Sequence, residues 1–354
     1  MNNKKSYFYI SLLNVLSAIA VVIIHANGSF WTFRNDISWS VNNIIESLFY
    51  FAVPIFFMLT GATLLDYTER YGTVTFLKKR FLKAFLPFLF WSVIAMLKVF
   101  LSDPNLFLKN EFAVDKIFNG IFNTEYMFIY WFFIPLFCIY LSIPLFANIN
   151  KEKKLKVLNY IAVVAFFANI FIPFFIKVLN ALFGWNILWG FEIPVLSGYL
   201  FYTVSGYLLH KCTLEKKMRI IIYAASIFGL FLHIFGTFYL SQRHGEVNKF
   251  FKEYTNLPCV LYSLGVFVFI KNISERVKSA KIQSFILRFQ KYTFEIYLLH
   301  MFLYKPISLV LSKLNVFDDS PAFVLLMTVF AIPACILITF ILRKIPLIRY
   351  VVPQ

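Results

Sequence analysis

Residues 13–30 read LNVLSAIAVVIIHANGSF, an apolar run of helical length that carries Asn14 near its start and His25 near its end. About 20 apolar residues span the hydrocarbon of a bilayer as one helix. Histidine is costly there, and it is also suited to moving protons near neutral pH. What His25 is for depends on whether this run is alone, and it is not. Similar runs recur from end to end of the 354 residues, 60% of which are hydrophobic and only 14% charged.

Windows of about 20 residues place ten transmembrane helices, at 7–27, 43–65, 84–101, 126–147, 157–178, 191–210, 219–240, 256–271, 291–311 and 321–342. The runs are continuous. A β-barrel would show alternating segments of roughly ten residues instead. The expected fold is therefore an all-α membrane protein, a polytopic bundle of about ten transmembrane helices forming a single domain over 1–354. The opening MNNKKS and its apolar run imitate a signal peptide but lack a small-x-small cleavage site, so they are expected to stay as the first span.

Charge sets the orientation. With the N-terminus cytoplasmic, most of the 34 lysines and arginines fall on inner segments, among them Lys4, Lys5, Lys78, Lys79, Arg80, Lys83, Lys151, Lys217, Arg276 and Arg343. That asymmetry fits an even number of spans with both termini cytoplasmic. The net charge of +17 is then mainly a topology signal. No nucleic acid partner is expected, because the basic residues are spread among loops rather than gathered on one face. Cys138, Cys212, Cys259 and Cys335 have neither CxxC spacing nor neighbouring histidines, so no metal site is expected. No glycine-rich nucleotide motif is present.

The chemistry must then lie on the spans and their short loops. A helix starting near Tyr7 puts His25 about 27 Å along its axis, near the outer face. The plain alternative is an interfacial histidine bonded to Asn27. Asn14 lies three turns earlier, within about 20° of the same face; it is either part of a polar path or a hydrogen bond to a neighbouring helix. Glu46 opens the second span at the depth of His25 and is the candidate to orient the imidazole, or else a solvated interfacial carboxylate. Glu295, Tyr297 and His300 in KYTFEIYLLHMF form either a structural network or part of the site. Arg80 and Lys83, three apart beside Lys79, anchor the inner face or hold phosphates. Residues 274–291 pattern as an amphipathic helix on the inner leaflet.

Six segments together resemble the acyltransferase-3 family of integral membrane acyltransferases. They are NVLSAIAVVIIH, VPIFFMLTGATLL, KKRFLKAFLPFLFWS, YWFFIPLFCIYLSIP, VSGYLLHK and EIYLLH, in order along nearly the whole chain. The resemblance implies a bacterial cytoplasmic-membrane enzyme that acylates a glycan or glycolipid from acyl-CoA, with acetyl-CoA as the expected donor. It makes His25 the catalytic histidine and Arg80 the first arginine of an Arg-x-x-Arg pattern, with Lys83 in place of the second. Asn14 stands where the family has arginine, Thr60-Gly61 stands for Ser-Gly, and Ile129 precedes Trp131 where the family often has histidine. Expected partners are the bilayer and the acceptor, with Trp31, Trp39, Trp185 and Trp189 as candidate sugar-stacking rings. A transporter of a polysaccharide or lipid precursor, and a family member without catalysis, are the competing readings.

Overall fold

The computed structural model describes residues 7–103, 113–346 and 348–352; Lys4 and Lys5 of the charge argument lie outside them. In chain order the helices are α1 (Phe8–Ala26), α2 (Ile37–Phe49), α3 (Ala52–Leu64), α4 (Thr73–Arg80), α5 (Leu86–Ser102), α6 (Val114–Phe122), α7 (Phe133–Ala147) and α8 (Lys151–Ala165). They continue as α9 (Ile172–Phe183), α10 (Tyr199–Lys211), α11 (Lys216–Phe231), α12 (Thr237–His244), α13 (Leu257–Ser274), α14 (Ala280–Phe289), α15 (Thr293–Lys313) and α16 (Pro321–Leu342). Among the described residues there is no strand, and nine helical segments are long and apolar enough to cross a membrane. The chain is a polytopic helical membrane protein.

Local signals explain the helix ends. Asp36 caps α2 by accepting the Trp39 amide at 2.6 Å, and Asn150 caps α8 by accepting the Glu152 amide at 2.9 Å. Gly184, at φ 68°, closes α9 in the left-handed conformation that glycine adopts without strain. Three π turns, Phe81–Phe85, Phe166–Phe171 and Leu232–Gly236, join α4 to α5, α8 to α9 and α11 to α12 as continuous rods.

The expected sixth span, 191–210, has a different form. Only Tyr199–Lys211 is helical, after the short 3₁₀ turn Pro194–Leu196. Residues 184–193 have no regular secondary structure and run back beside the α8–α9 rod. Asn180 bonds both the carbonyl and the amide of Ile187, at 2.9 and 3.0 Å, and Asn169 does the same for Ile193, at 2.9 and 2.8 Å. Trp189 donates its Nε1–H to the carbonyl of Ala168, within the π turn, at 2.8 Å. Gly190, Pro194 and Gly198, the last at φ 56°, break the helix that hydropathy suggests.

The chain folds into two compact units. The first comprises Met1–Leu64 and Asn150–Ile336. In it α1 packs against α2, α3, α13, α14 and α15, and α3 lies along α10. The α3–α10 crossing is close enough to require glycine. A Cβ on Gly61 would stand 1.7 Å from the Thr203 carbonyl oxygen, and one on Gly206 would stand 2.1 Å from that of Met58. The second unit comprises Leu65–Ile149 and Leu337–Gln354. Its core is aromatic: Phe88 meets Tyr130, Phe133 and Phe137, and Trp91 donates to the Val351 carbonyl at 3.1 Å.

Candidate functional site

His25 is the penultimate residue of α1, and His300 sits in the first half of α15, the helix packed against it. Their rings stack at 9° with centroids 5.0 Å apart, and His25 Nδ1 lies 2.8 Å from His300 Nε2. The second nitrogen of His300, Nδ1, is 2.9 Å from the Ile296 carbonyl one turn earlier. A carbonyl only accepts, so His300 Nδ1 carries the hydrogen. In a neutral ring Nε2 is then the acceptor, and His25 must donate its Nδ1–H to it. This relay of two bonds leaves the lone pair of His25 on Nε2. A nitrogen so prepared can take a proton from a hydroxyl or attack a carbonyl carbon.

The other residues singled out in the sequence distribute unevenly around this pair. Glu295 is buried in the first turn of α15, where a carboxylate suits the helix dipole. The Tyr297 ring is 6.3 Å from that of His300. Asn14 is half-buried on α1, one turn before the buried Ser17, whose hydroxyl has no hydrogen-bond partner among the described residues. Glu46 is 2% exposed, so it is not a solvated interfacial group. It accepts from Asn27 Nδ2 at 2.9 Å, and the same amide nitrogen reaches the Asn42 carbonyl at 2.9 Å. Glu46 thus holds the residue that ends α1, two positions after His25.

The four candidate tryptophans also separate. Trp39 is fully buried, with Nε1 bonded to the Phe30 carbonyl at 2.9 Å and its ring stacked on Phe30. It is a core residue, since the short α1–α2 turn folds it inward, and is not available to a sugar. Trp31, Trp185 and Trp189 retain exposed surface.

In the second unit Arg80 ends α4, where the π turn begins. Its guanidinium lies 5.8 Å from the Phe76 ring and 5.7 Å from the Tyr140 ring, and its Nε is buried without a hydrogen-bond partner among the described residues. It borders an apolar groove of about 320 Å³ formed with Leu77, Phe81, Phe85, Phe137 and Tyr140. Lys79 and Lys83 are exposed, and the Lys79 ammonium sits 3.8 Å above the Tyr71 ring. The expected shared face of Arg80 and Lys83 is altered by the π turn between them, which carries more residues per turn than an α-helix.

Sequence reasoning passed over two buried groups of the first unit. Lys252, on the loop before α13, is 2% exposed, and its ammonium donates to Ser47 Oγ at 2.5 Å. Burial pulls Lys252 below the ordinary lysine range, to about 7, with Glu46 opposing. His233 is 0% exposed in the third π turn, with neither ring nitrogen hydrogen-bonded among the described residues. No local motif marks either one; their meaning depends on contacts nearly 200 residues away in sequence.

Among the described residues no cluster of three or more His, Cys, Asp or Glu is arranged to hold a metal. Neither the curated proteins nor the solved structures include a match to this chain. The model of the acyltransferase-3 family, described as an acyltransferase domain, matches residues 7–340, and with nearly its whole length matched the chain belongs to this family of membrane acyltransferases.

Proposed function

We propose that the chain transfers an acyl group, in the first instance acetyl, from cytoplasmic acyl-CoA to a hydroxyl of an extracytoplasmic or lipid-linked glycan in a bacterial cytoplasmic membrane. The observation that carries this reading is the His25–His300 pair, with its hydrogen-bond relay to the Ile296 carbonyl. His25 Nε2 removes the proton of the acceptor hydroxyl as its oxygen bonds to the thioester carbonyl carbon. The tetrahedral adduct then expels the CoA thiolate, and the imidazolium returns the proton to sulfur. In a two-step variant the same nitrogen takes the acyl group first and passes it to the hydroxyl.

His300 orients His25 in this scheme, while Glu46 acts on the end of α1 through Asn27. Asn14 contributes a hydrogen-bonding group on the same helix, in place of the family's arginine charge. Arg80, with Lys79 and Lys83, supplies positive charge for the donor's phosphates, arginine as a fork of donors and the lysines as point charges.

The test is acetyl-CoA turnover by the purified, detergent-solubilised chain given a crude cell-envelope glycan, with donor binding measured in the same preparation. Wild type is expected to release CoA. His25→Ala is expected to bind the donor without turnover, and Arg80→Ala to need a higher donor concentration. A chain that neither binds nor consumes acetyl-CoA would remove the donor assignment.

A further inference from the structure

The loop between α12 and α13 places a lysine in the least hospitable surroundings available to it. The Lys252 ammonium faces the Phe30 ring at 5.0 Å and the Tyr50 ring at 5.9 Å, beside the Ser47 hydroxyl. Its backbone is fixed as well, since Tyr50 donates its hydroxyl hydrogen to the Lys252 carbonyl at 2.6 Å. The Tyr50 ring, at the C-terminal end of α2, faces it, and Glu46 on α2, His233 in the π turn and Cys259 on α13 act on it electrostatically. Of these only Glu46 is a carboxylate. A buried ammonium persists where a partner offsets its lost hydration, and removing one member of such a pair strands the other.

The chain of contacts continues toward the dyad. Glu46 accepts from Asn27, which is fully buried, and the Asn27 amide caps α1 on the Ile23 carbonyl at 2.9 Å. Asn27 is therefore held at its backbone by α1 and at its side chain by α2, immediately beyond His25 and Ala26. Phe30, three residues further on, forms one wall around the ammonium. Lys252 touches Phe30 in the turn that leaves α1 and Ser47 near the end of α2, the residue after Glu46.

We propose that Lys252 is a positioning residue for the His25–His300 pair, acting through Glu46 and Asn27. The proposal rests on the acyltransferase reading and adds a third segment, remote in sequence, to the machinery of the same site. Lys252 compensates the Glu46 carboxylate, the carboxylate holds Asn27, and Asn27 fixes the last turn of α1 so that the His25 imidazole keeps its bond to His300.

Charge compensation in the full-length protein tests this. Lys252→Met is expected to lower kcat for CoA release about tenfold with the donor KM unchanged, and to lower the melting temperature. Adding Glu46→Gln removes the stranded charge while leaving an amide oxygen for Asn27, so the double variant is expected to regain most of both losses. A double variant no better than the product of the single effects would overturn the proposal, since Lys252 would then act by packing alone; so would a Lys252→Met kcat equal to wild type. Should Lys252→Met not accumulate as folded protein, the comparison is Glu46→Gln against the double variant, which is expected to be the more active and the more stable. A readout independent of turnover is the rate at which diethyl pyrocarbonate modifies His25, followed by mass spectrometry. That rate is expected to change severalfold in Lys252→Met and to return toward wild type in the double variant; an unchanged rate would refute the positioning role. If no variant or wild type consumes acetyl-CoA while the labelling pattern holds, the donor assignment fails and the positioning of His25 stands.

Discussion

His300→Ala separates orientation from chemistry at the dyad. The substitution deletes the acceptor of the 2.8 Å bond from His25 Nδ1 and leaves that N–H to find another partner. A neutral hydrogen bond contributes about 1 kcal/mol. Releasing the ordered imidazole costs roughly another 1 kcal/mol in side-chain freedom. Together these raise the barrier by about 2 kcal/mol, a fall in kcat of about 30-fold. Loss of the general base itself, in His25→Ala, removes on the order of 10²–10⁴. The two variants should therefore differ clearly, with donor KM unchanged in both. His300→Gln, which returns an amide oxygen to the neighbourhood, should fall between wild type and His300→Ala. CoA release is best followed by chromatography, because Cys138 and Cys212 are exposed thiols that would consume a thiol reagent. A His300→Ala kcat within threefold of wild type would refute the relay. One as low as His25→Ala would show that His300 takes part in the chemistry itself.

Further outcomes follow from other parts of the molecule. Gly206→Ala must move its new Cβ from 2.1 Å to an ordinary 3.4 Å from the Met58 carbonyl oxygen; that overpacking costs about 3 kcal/mol and should lower the melting temperature by on the order of 10 °C, and an unchanged melt would refute the close crossing. Arg80→Lys keeps the charge but loses the fork of donors, so donor KM should rise severalfold at constant kcat; an unchanged KM would remove Arg80 from the donor site. Burial pulls Lys252 in the fold below the value of 10.5 at which the unfolded chain releases its proton. The unfolded state thus binds more protons between pH 7 and about 10.5, and stability should rise with pH across that window. Melting curves of wild type against the Glu46→Gln, Lys252→Met double variant should diverge in favour of wild type as pH rises from 7 to 10; a constant difference would contradict the burial of the ammonium.

Much of this was legible in the sequence, and the limits have physical causes. Apolar run length identifies a membrane helix because hydrocarbon thickness sets it, and all nine long apolar helical segments overlap an expected span. The same measure misreads 191–210, where the composition is apolar but Pro194 and Gly198 deny the backbone a continuous helix and Asn169 and Asn180 bond the irregular segment before it. His25 was visible because an ionisable residue in an apolar run is conspicuous. Its partner was visible only as one of several polar residues in EIYLLH, since sequence spacing cannot align rings 275 positions apart. Glu46 was expected to orient the imidazole; its carboxylate accepts from Asn27, a partner that depth along a helix does not reveal. Lys252 drew no attention in the sequence; its burial is set by Phe30, Ser47 and Tyr50.

The three π turns have a consequence for how chains of this kind can diverge in length. Each carries one residue more than a regular helix needs, and in two of them a carbonyl, that of Ala168 or Ile234, receives a side-chain donor from another segment. Deleting a single residue inside such a turn would restore an ordinary helix and swing everything beyond it by about 100° about the axis. Trp189 and Asn43 would lose their acceptors, and the Ile172–Phe183 and Thr237–His244 ends of the two rods would face new neighbours. One-residue gaps near 81–85, 166–171 or 232–236 in related chains would therefore mark rotated helices, with a different set of side chains turned toward the bundle, even where hydropathy is unchanged.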